Sequence, residues 1–135
     1  MEDCIFCSIV SGKIPCYKVF EDAHALAFLD INPFGLGHTL VVPKFHAPDV
    51  FHLPPEELAG MMPAVQRVAT LLKRKLACDG LAMMQLNGAA AGQTVGHVHV
   101  HLIPRYAGQQ AAWAPLEGEA KAAAQDFEGI LRRLL

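Results

Sequence analysis

The segment GHVHVHLIPRY at residues 96–106 places three histidines two positions apart, in a chain that has seven histidines in all. Alternate side chains of a β-strand point to opposite faces of its sheet. The segment therefore predicts a strand with its imidazoles on one face and apolar side chains on the other. One face is typical of a buried core and the other of a chemical site, formed by His97, His99 and His101.

A metal is one use for such a row. A strand rises ~3.3 Å per residue, so the first and third imidazoles would lie roughly 13 Å apart, whereas zinc sits about 2 Å from each ring nitrogen. All three rings therefore cannot share one ion. Two neighbouring histidines can, and a zinc hydrolase with a third ligand from elsewhere and an open water position is one reading of the pattern.

The loop before the histidines points to phosphate chemistry. Residues 87–94 read NGAAAGQT and carry no charge. Glycines let a backbone approach a ligand closely, and loop amides can hold phosphate oxygens, although the Gly-Lys-Ser/Thr ending of a Walker A loop is missing. A neutral imidazole with one nitrogen bonded to a carbonyl can attack through the other, while a flanking imidazole protonates the leaving group. The combination predicts phosphoryl or nucleotidyl transfer.

Hydrophobic periodicity and turn residues predict the elements that position these groups. Helical spacing and turn signals favour an α+β fold with a five-stranded antiparallel sheet, because hairpins and one long helix leave few parallel crossovers. Pro63 could kink the long helix. The predicted helices cover residues 4–11, 55–76 and 118–135, and the predicted strands cover residues 17–22, 25–30, 38–44, 81–87 and 97–104.

Composition limits the class of protein. A length of 135 residues suits one domain, and 53% hydrophobic residues with 18% charged ones favour burial of apolar surface in a homodimer. A net charge of −2 argues against extended nucleic-acid binding. We expect no membrane span, since no stretch approaches ~20 apolar residues.

The first residues and the cysteines suggest a compartment. Glu2 and Asp3 stand where a secretory signal carries positive charge, so we expect a cytoplasmic protein with reduced thiols. In that setting the close pair Cys4 and Cys7 is typical of metal or redox work. The other two cysteines are interpreted as buried packing residues, Cys16 and Cys78.

The stretch GQTVGHVHVHLIPRY resembles the signature of the histidine triad (HIT) family. The resemblance extends through EDAHALAFLDINPFGLGHTLVVPKFH and the amino-terminal CIFCSIVSGKIP, and so covers most of residues 4–106. It implies a single HIT domain over residues 1–135 with a variable tail at 107–135. The implied fold is a five-stranded antiparallel sheet with one long helix and short terminal helices, its sheets joined across a dimer.

The resemblance also implies an activity. Members of this kind are nucleotide hydrolases or nucleotidyl transferases that cleave purine nucleoside 5′-phosphoramidates or related nucleotides through a nucleotidyl-histidine intermediate. By this resemblance His99 is the nucleophile, His101 contacts the phosphate and His38 supports the site. Two alternatives stay open: a dinucleoside polyphosphate hydrolase, and a nucleotide-binding adaptor whose catalysis is incidental.

Further site residues follow from the same resemblance. Asn87, Gln93 and Thr94 match residues around the phosphates and leaving group. Asp30 matches the carboxylate that holds the ribose hydroxyls. Apolar positions match the walls around a purine: Phe6, Ile9, Ile14, Phe28 and Ile31.

The amino-terminal CIFC resembles the zinc-binding version of the family. The ligands it implies are Cys4, Cys7, His46 and His97. Four ligands close a tetrahedral site, so this zinc is expected to be structural, and no catalytic metal is expected. His97 would then bind the metal, while His99 and His101 take part in the reaction.

The chain also departs from the family pattern. Gly96 stands where members often carry a bulky residue, and Ala89–Ala91 replace polar residues common in the phosphate loop. Both changes leave the leaving-group preference open. Trp113, in the variable tail, would either reach the site of a partner subunit or anchor packing.

Overall fold

The computed structural model describes residues 3–109 and 114–135, so the expectation for Trp113 lies outside the described residues. Strands and helices follow one another in the order that the sequence predicts. The helices are α1 (Ile5–Val10), α2 (Pro55–Leu76), α3 (Gly118–Ala124) and α4 (Phe127–Leu134). The strands are β1 (Lys18–Glu21), β2 (Ala25–Leu29), β3 (Thr39–Pro43), β4 (Gly80–Gln85) and β5 (Val100–Arg105).

The five strands form one antiparallel sheet in the order β1-β2-β3-β5-β4. The predicted α+β fold is therefore confirmed. The insertion of β5 between β3 and β4 matters for the site, because it places Leu40 of β3 directly opposite His101. Phe28 pairs with Leu40 in turn, so an apolar wall and an imidazole share one face of the sheet.

The opposite face of the sheet holds the main core. Helix α2 packs there against Ala27, Val41 and Leu102, which are buried. Its buried side chains recur at helical spacing, and it continues through Pro63 to Leu76. The long helix thus supports the sheet from behind and leaves the histidine face to α1, whose Phe6 packs against Phe28 and Leu40.

Several element boundaries differ from the prediction by one residue, and three differences are larger. Strand β5 begins at Val100 rather than at residue 97, because the backbone N–H of Val98 donates to the carbonyl of Ala47 at 2.7 Å instead of joining the ladder with β4. The fourth strand covers Gly80–Gln85 rather than 81–87. The expected terminal helix is two helices, since the carboxylate of Asp126 accepts from the N–H of Gly129 at 3.2 Å and starts α4 afresh.

The cysteines outside CIFC differ from each other. Cys78 is buried as expected, whereas Cys16 is only half-buried. Within the described part of the chain, no helix is long and apolar enough to cross a membrane.

Candidate functional site

Two cysteines and two histidines converge at the start of α1. Cys4 caps the helix, and its sulfur accepts from the N–H of Cys7 at 3.4 Å. His46 follows β3 and His97 precedes β5, so three separate segments meet at this point. The four ligand atoms all lie within 4.8 Å of one another.

The hydrogen-bond partner of His97 suits it to be a metal ligand. Its Nε2 lies 2.9 Å from the carbonyl oxygen of Pro43, to which it must donate, so the lone pair of the neutral ring is on Nδ1. That Nδ1 lies 3.4 Å from Sγ of Cys4, 3.6 Å from Sγ of Cys7 and 3.2 Å from Nδ1 of His46. Zinc–sulfur bonds of ~2.3 Å and zinc–nitrogen bonds of ~2.0 Å give tetrahedron edges of roughly 3.3–3.8 Å. The donor set is compatible with zinc.

His99 has a free nitrogen for attack. Its Nδ1 lies 2.7 Å from the carbonyl oxygen of His97, so this nitrogen donates and the lone pair of the neutral ring lies on Nε2. Burial lowers the pKa of His99, which favours the neutral ring. Phe6 meets the ring edge-on at 5.1 Å and fixes its orientation. The ring is thus neutral and held in one orientation, as a nucleophilic imidazole requires.

A chain of hydrogen bonds fixes the tautomers of His38 and His101. The backbone N–H of Phe34 donates to Nδ1 of His38 at 3.0 Å, so the proton of the neutral ring is on Nε2. That Nε2 lies 3.0 Å from Nδ1 of His101 and donates to it. The remaining proton of His101 is then on its Nε2, available to a phosphate oxygen or a leaving group. The ring centroids of His99 and His101 are 4.8 Å apart, so a ring with an open lone pair and a ring with an available N–H lie side by side.

Burial keeps the hydrogen-bonded imidazoles of His38 and His101 uncharged. Desolvation, followed by the neighbouring imidazoles, lowers the pKa of His38 to about 3. Burial and the neighbouring His99 lower that of His101 to about 4. The carboxylate Oδ2 of Asp30 is 3.5 Å from Nε2 of His38, but with a neutral ring this contact is no ion pair, and the shorter bond to His101 takes the proton. Asp30 also accepts from the N–H of Asn32 at 2.8 Å, which fixes its carboxylate at the start of the loop.

The predicted phosphate-side amides hold loops together in this structure. Oδ1 of Asn87 accepts from the N–H of Val50 at 2.8 Å, and its amide pairs with that of Gln85. Gln93 donates to the carbonyls of Pro48 and Val95 and accepts from the N–H of Gly88. Both side-chain amides therefore connect the loop at 87–94 to neighbouring backbone. Thr94 is exposed at the end of that loop.

The five predicted purine-wall residues fall into two groups. Phe6 and Phe28 are buried with their rings 5.5 Å apart, next to the histidine row. Ile9 and Ile14 line an adjoining cavity of about 220 Å³. Ile31 is 64% exposed on the loop after β2. The structure therefore brings four of the five to one side of the sheet.

Several groups that shape the site were not anticipated from the sequence. The N–H of Phe34 and the carbonyl of Pro43 set two histidine tautomers, and backbone groups carry no sequence signal of their own. The N–H of Phe34 belongs to the loop that leads into β3, and this loop also contains Pro33, Gly35 and Gly37. Its glycines were the available signal, since they mark close backbone approach.

Comparisons with known proteins agree with this geometry. Residues 11–108 match the HIT domain family. A HIT-like protein of Methanocaldococcus jannaschii is 51% identical over 105 residues, covering 78% of this chain and 81% of that protein. An adenosine 5′-monophosphoramidase of Saccharomyces cerevisiae is 42% identical over 102 residues, covering 76% of this chain and 62% of that enzyme.

A solved structure bears on the cysteine–histidine cluster. The zinc-bound histidine triad family protein of Mycobacterium smegmatis has a TM-score of 0.79 and 38% identity, covering 98% of this chain and 96% of that one. The sheet, the histidine row and the matched residues lead to one conclusion: this chain belongs to the HIT domain family of nucleotide hydrolases and transferases.

Proposed function

We propose that the protein cleaves purine nucleoside 5′-phosphoramidates, or related nucleotides, through a covalent nucleotidyl intermediate on His99. The observation that carries this proposal is the 2.7 Å hydrogen bond from Nδ1 of His99 to the carbonyl of His97, which leaves Nε2 with the lone pair. The matched phosphoramidase of Saccharomyces cerevisiae supports the choice of substrate.

In the first half of the reaction, Nε2 of His99 forms a bond to the α-phosphorus while the bond from phosphorus to the leaving nitrogen breaks. The departing amine keeps the bonding pair and takes the proton from Nε2 of His101, which is left as an imidazolate. His38 holds that donor in position through its 3.0 Å bond to Nδ1 of His101. In this proposal, backbone N–H groups of the loop at 87–94 and the hydroxyl of Thr94 stabilise the negative charge on the phosphate.

In the second half, water attacks the phosphorus and the bond to Nε2 of His99 breaks. The products are a nucleoside monophosphate and the free neutral imidazole. His101, deprotonated in the first half, accepts the proton of the attacking water, so the site returns to its starting state. Asp30 is the proposed partner of the ribose hydroxyls, and Phe6 and Phe28 form the inner part of the purine wall.

We further propose that Cys4, Cys7, His46 and His97 hold a structural Zn²⁺. The ion would supply a cross-link between α1, the segment after β3 and the approach to β5. With four protein ligands it needs no water, so its place is outside the reaction. The reduced thiols that this site requires also fit the cytoplasmic location expected from the cysteine content.

The first experiment is release of AMP from adenosine 5′-phosphoramidate by the native chain and by His99→Ala. We expect turnover in the native protein and loss of about 10³-fold or more in the variant. His52→Ala is the matched control, because His52 is an exposed histidine bonded to Asp49, away from the row. Denaturing mass spectrometry of quenched reactions should show an added AMP on the native chain alone.

Each outcome decides between readings. Full activity of His99→Ala contradicts the mechanism. No release by the native protein, with turnover of diadenosine triphosphate, supports the dinucleoside polyphosphate hydrolase instead. Nucleotide binding without turnover of either substrate supports the adaptor.

We also propose a homodimer. Strand β4 lies at an edge of the sheet, and its Met83 is 57% exposed. Next to it, Ala59, Met62 and Ala69 of α2 line an apolar cavity of about 620 Å³. A second copy that pairs along β4 would cover both features. Light scattering should give twice the chain mass, and Met83→Lys should give monomer, whereas a native monomer at micromolar concentration contradicts the proposal.

A further inference from the structure

The loop between β2 and β3 determines the tautomer of His38. Residues 31–37 connect Asp30 to His38, and the backbone of these two ends is joined by the N–H of Asp30 donating to the carbonyl of His38 at 2.9 Å. Within the loop, the N–H of Phe34 donates to Nδ1 of His38. A shift of this amide would release Nδ1 and permit the other tautomer, in which Nε2 no longer donates to His101.

Arg105 and Tyr106, which follow the histidine row in the sequence, donate hydrogen bonds to carbonyl groups of that loop. Nη1 of Arg105 donates to the carbonyl oxygen of Phe34 at 2.6 Å. The hydroxyl of Tyr106 donates to the carbonyl oxygen of Leu36 at 3.2 Å. Burial raises the pKa of Tyr106 to about 12, so the hydroxyl keeps its proton and stays a donor. Phe34 is thus bonded on both sides, to the imidazole through its N–H and to Arg105 through its carbonyl.

Close packing also holds the loop at 31–37 against β5. Gly35 lies against the end of β5, where a Cβ on it would come within 2.6 Å of the carbonyl oxygen of Pro104 and 3.1 Å of Ile103. The loop therefore rests directly on the strand that carries His101. Arg105 and Tyr106 join the two elements whose separation sets the distance from His38 to His101.

We propose that Arg105 and Tyr106 are positioning residues for the reaction: they hold residues 31–37 against β5 so that the amide of Phe34 fixes the Nε2–H tautomer of His38. This proposal rests on the function proposed above, but it concerns residues outside the histidine row. Neither side chain needs to contact the nucleotide. Their effect passes through His38 to the proton donor His101, and through the start of the loop to Asp30.

The variants Arg105→Met and Tyr106→Phe test this directly. We expect kcat to fall roughly 10- to 100-fold for Arg105→Met, because small displacements of catalytic groups have effects of that size, and less for Tyr106→Phe, whose bond is longer. Arg105→Lys, which keeps a cationic donor, should recover part of the loss. The matched controls are Arg67→Met, which removes an arginine that lies over the ring of Phe20, and Tyr17→Phe, whose ring packs against Phe127.

A spectroscopic readout separates positioning from simple stability. Nitrogen-15 NMR of labelled histidine distinguishes protonated from unprotonated ring nitrogens. The native chain should show His38 protonated on Nε2 alone, and Arg105→Met should show a mixture of tautomers. Gly35→Ala displaces the loop while keeping both anchors, and it should produce the same mixture.

The outcomes are decisive in either direction. Lowered thermal stability with native kcat, native KM and an unchanged His38 spectrum would show that the two residues are structural only. The NMR experiment stands even if the native chain fails to cleave phosphoramidates. A failure of the proposed function and a failure of this inference are therefore distinguishable.

Discussion

Among the residues that the structure describes, two clusters have the composition of a metal site, and one of them has its ring lone pairs in the right place. Cys4, Cys7, His46 and His97 form the first cluster, and Asp30, His38 and His101 form the second, each with ligand atoms within 4.8 Å. In the first cluster, the carbonyl of Pro43 takes the proton of His97 and leaves Nδ1 open.

In the second cluster, the backbone acts in the opposite sense. The N–H of Phe34 occupies Nδ1 of His38, so its Nε2 carries a proton and faces the cluster as a donor. A metal there would require that proton to move and the bond to Phe34 to break. A carbonyl that accepts from one ring nitrogen leaves a lone pair on the other nitrogen, as a metal ligand requires. An N–H that donates to one ring nitrogen leaves a proton on the other, as a proton relay requires.

The largest expected effect is on the first cluster. Replacing both thiols, in Cys4→Ser/Cys7→Ser, should lower the zinc content from about one ion per chain to near zero. A ligand present at ~1,000 times its Kd stabilises by about 4 kcal/mol, so the variant should unfold more than about 10 °C lower. Elemental analysis and thermal unfolding measure both quantities.

The control for that variant is Cys16→Ser, a half-buried thiol outside the cluster. It should keep its zinc and its unfolding temperature to within a few degrees. A zinc content near one in the double variant would show that the ligand set is wrong. Two zinc ions per native chain would show that the second cluster binds metal as well, against the tautomer argument.

Next in size is the effect of His38 on catalysis. His38→Leu removes the donor to His101, and kcat should fall about 100-fold, the lower end for loss of general acid–base support. His38→Gln, which can still place an N–H near His101, should lose less. Both variants should keep the native zinc content. Loss of zinc with either substitution, or native kcat in His38→Leu, would contradict the division into a metal site and a relay.

The sequence predicted the elements of both clusters well, because periodicity and turn residues depend on local physics. The antiparallel sheet, the long helix and the two short N-terminal strands are present as expected. The larger errors were the start of β5, which leaves His97 and His99 ahead of the strand, and the terminal helix. Its apolar and helix-forming residues continue through position 126, and only the side chain of Asp126 bonding to Gly129 divides it into two.

The roles within the clusters were harder to predict. Sequence resemblance named His38 and His97 as site residues, but the groups that set their tautomers are the backbone N–H of Phe34 and the carbonyl of Pro43. Every residue except proline carries the same N–H, and every residue the same carbonyl. Only the tertiary path of the chain shows which of them meets an imidazole, and this path also gave Arg105 its position against the loop.

A smaller effect concerns pH. The pKa of His38 is about 3 and that of His101 about 4 in the folded chain, against ~6.5 when unfolded. The unfolded chain then binds more protons than the folded chain, so the free energy of unfolding falls as the pH drops from about 6.5 towards 4. Above about pH 6.5 the two histidines no longer lower it. The groups that face the pair are Asp30 and His99.

Urea unfolding at pH 7 and pH 5 measures this decline. In His38→Leu one of the buried imidazoles is gone, so its stability should decline less between the two values. Release of zinc by acid contributes to both proteins and cancels in the comparison. An equal decline in the two proteins would mean that burial does not hold His38 neutral.

The smallest expected effect lies at Phe6, a side chain that touches a histidine of the first cluster and the neighbouring His99. The ring of Phe6 meets His97 at 5.9 Å and His99 at 5.1 Å, both edge-to-face. Such contacts contribute ~0.5–1.5 kcal/mol each beyond area burial, so Phe6→Leu should lower stability by about 1–3 kcal/mol and kcat/KM several-fold. Zinc content should not change, since leucine removes no ligand.

Phe20→Leu is the matched control for Phe6→Leu, because Phe20 packs under Arg67 and away from both clusters. It should lower stability without lowering kcat/KM. If Phe6→Leu left kcat/KM at the native value, the orientation of His99 would depend on the bond from Nδ1 to the carbonyl of His97 alone. If it lost zinc as well, the two clusters would be mechanically coupled through this ring, and the separation between metal site and relay would hold for chemistry but not for structure.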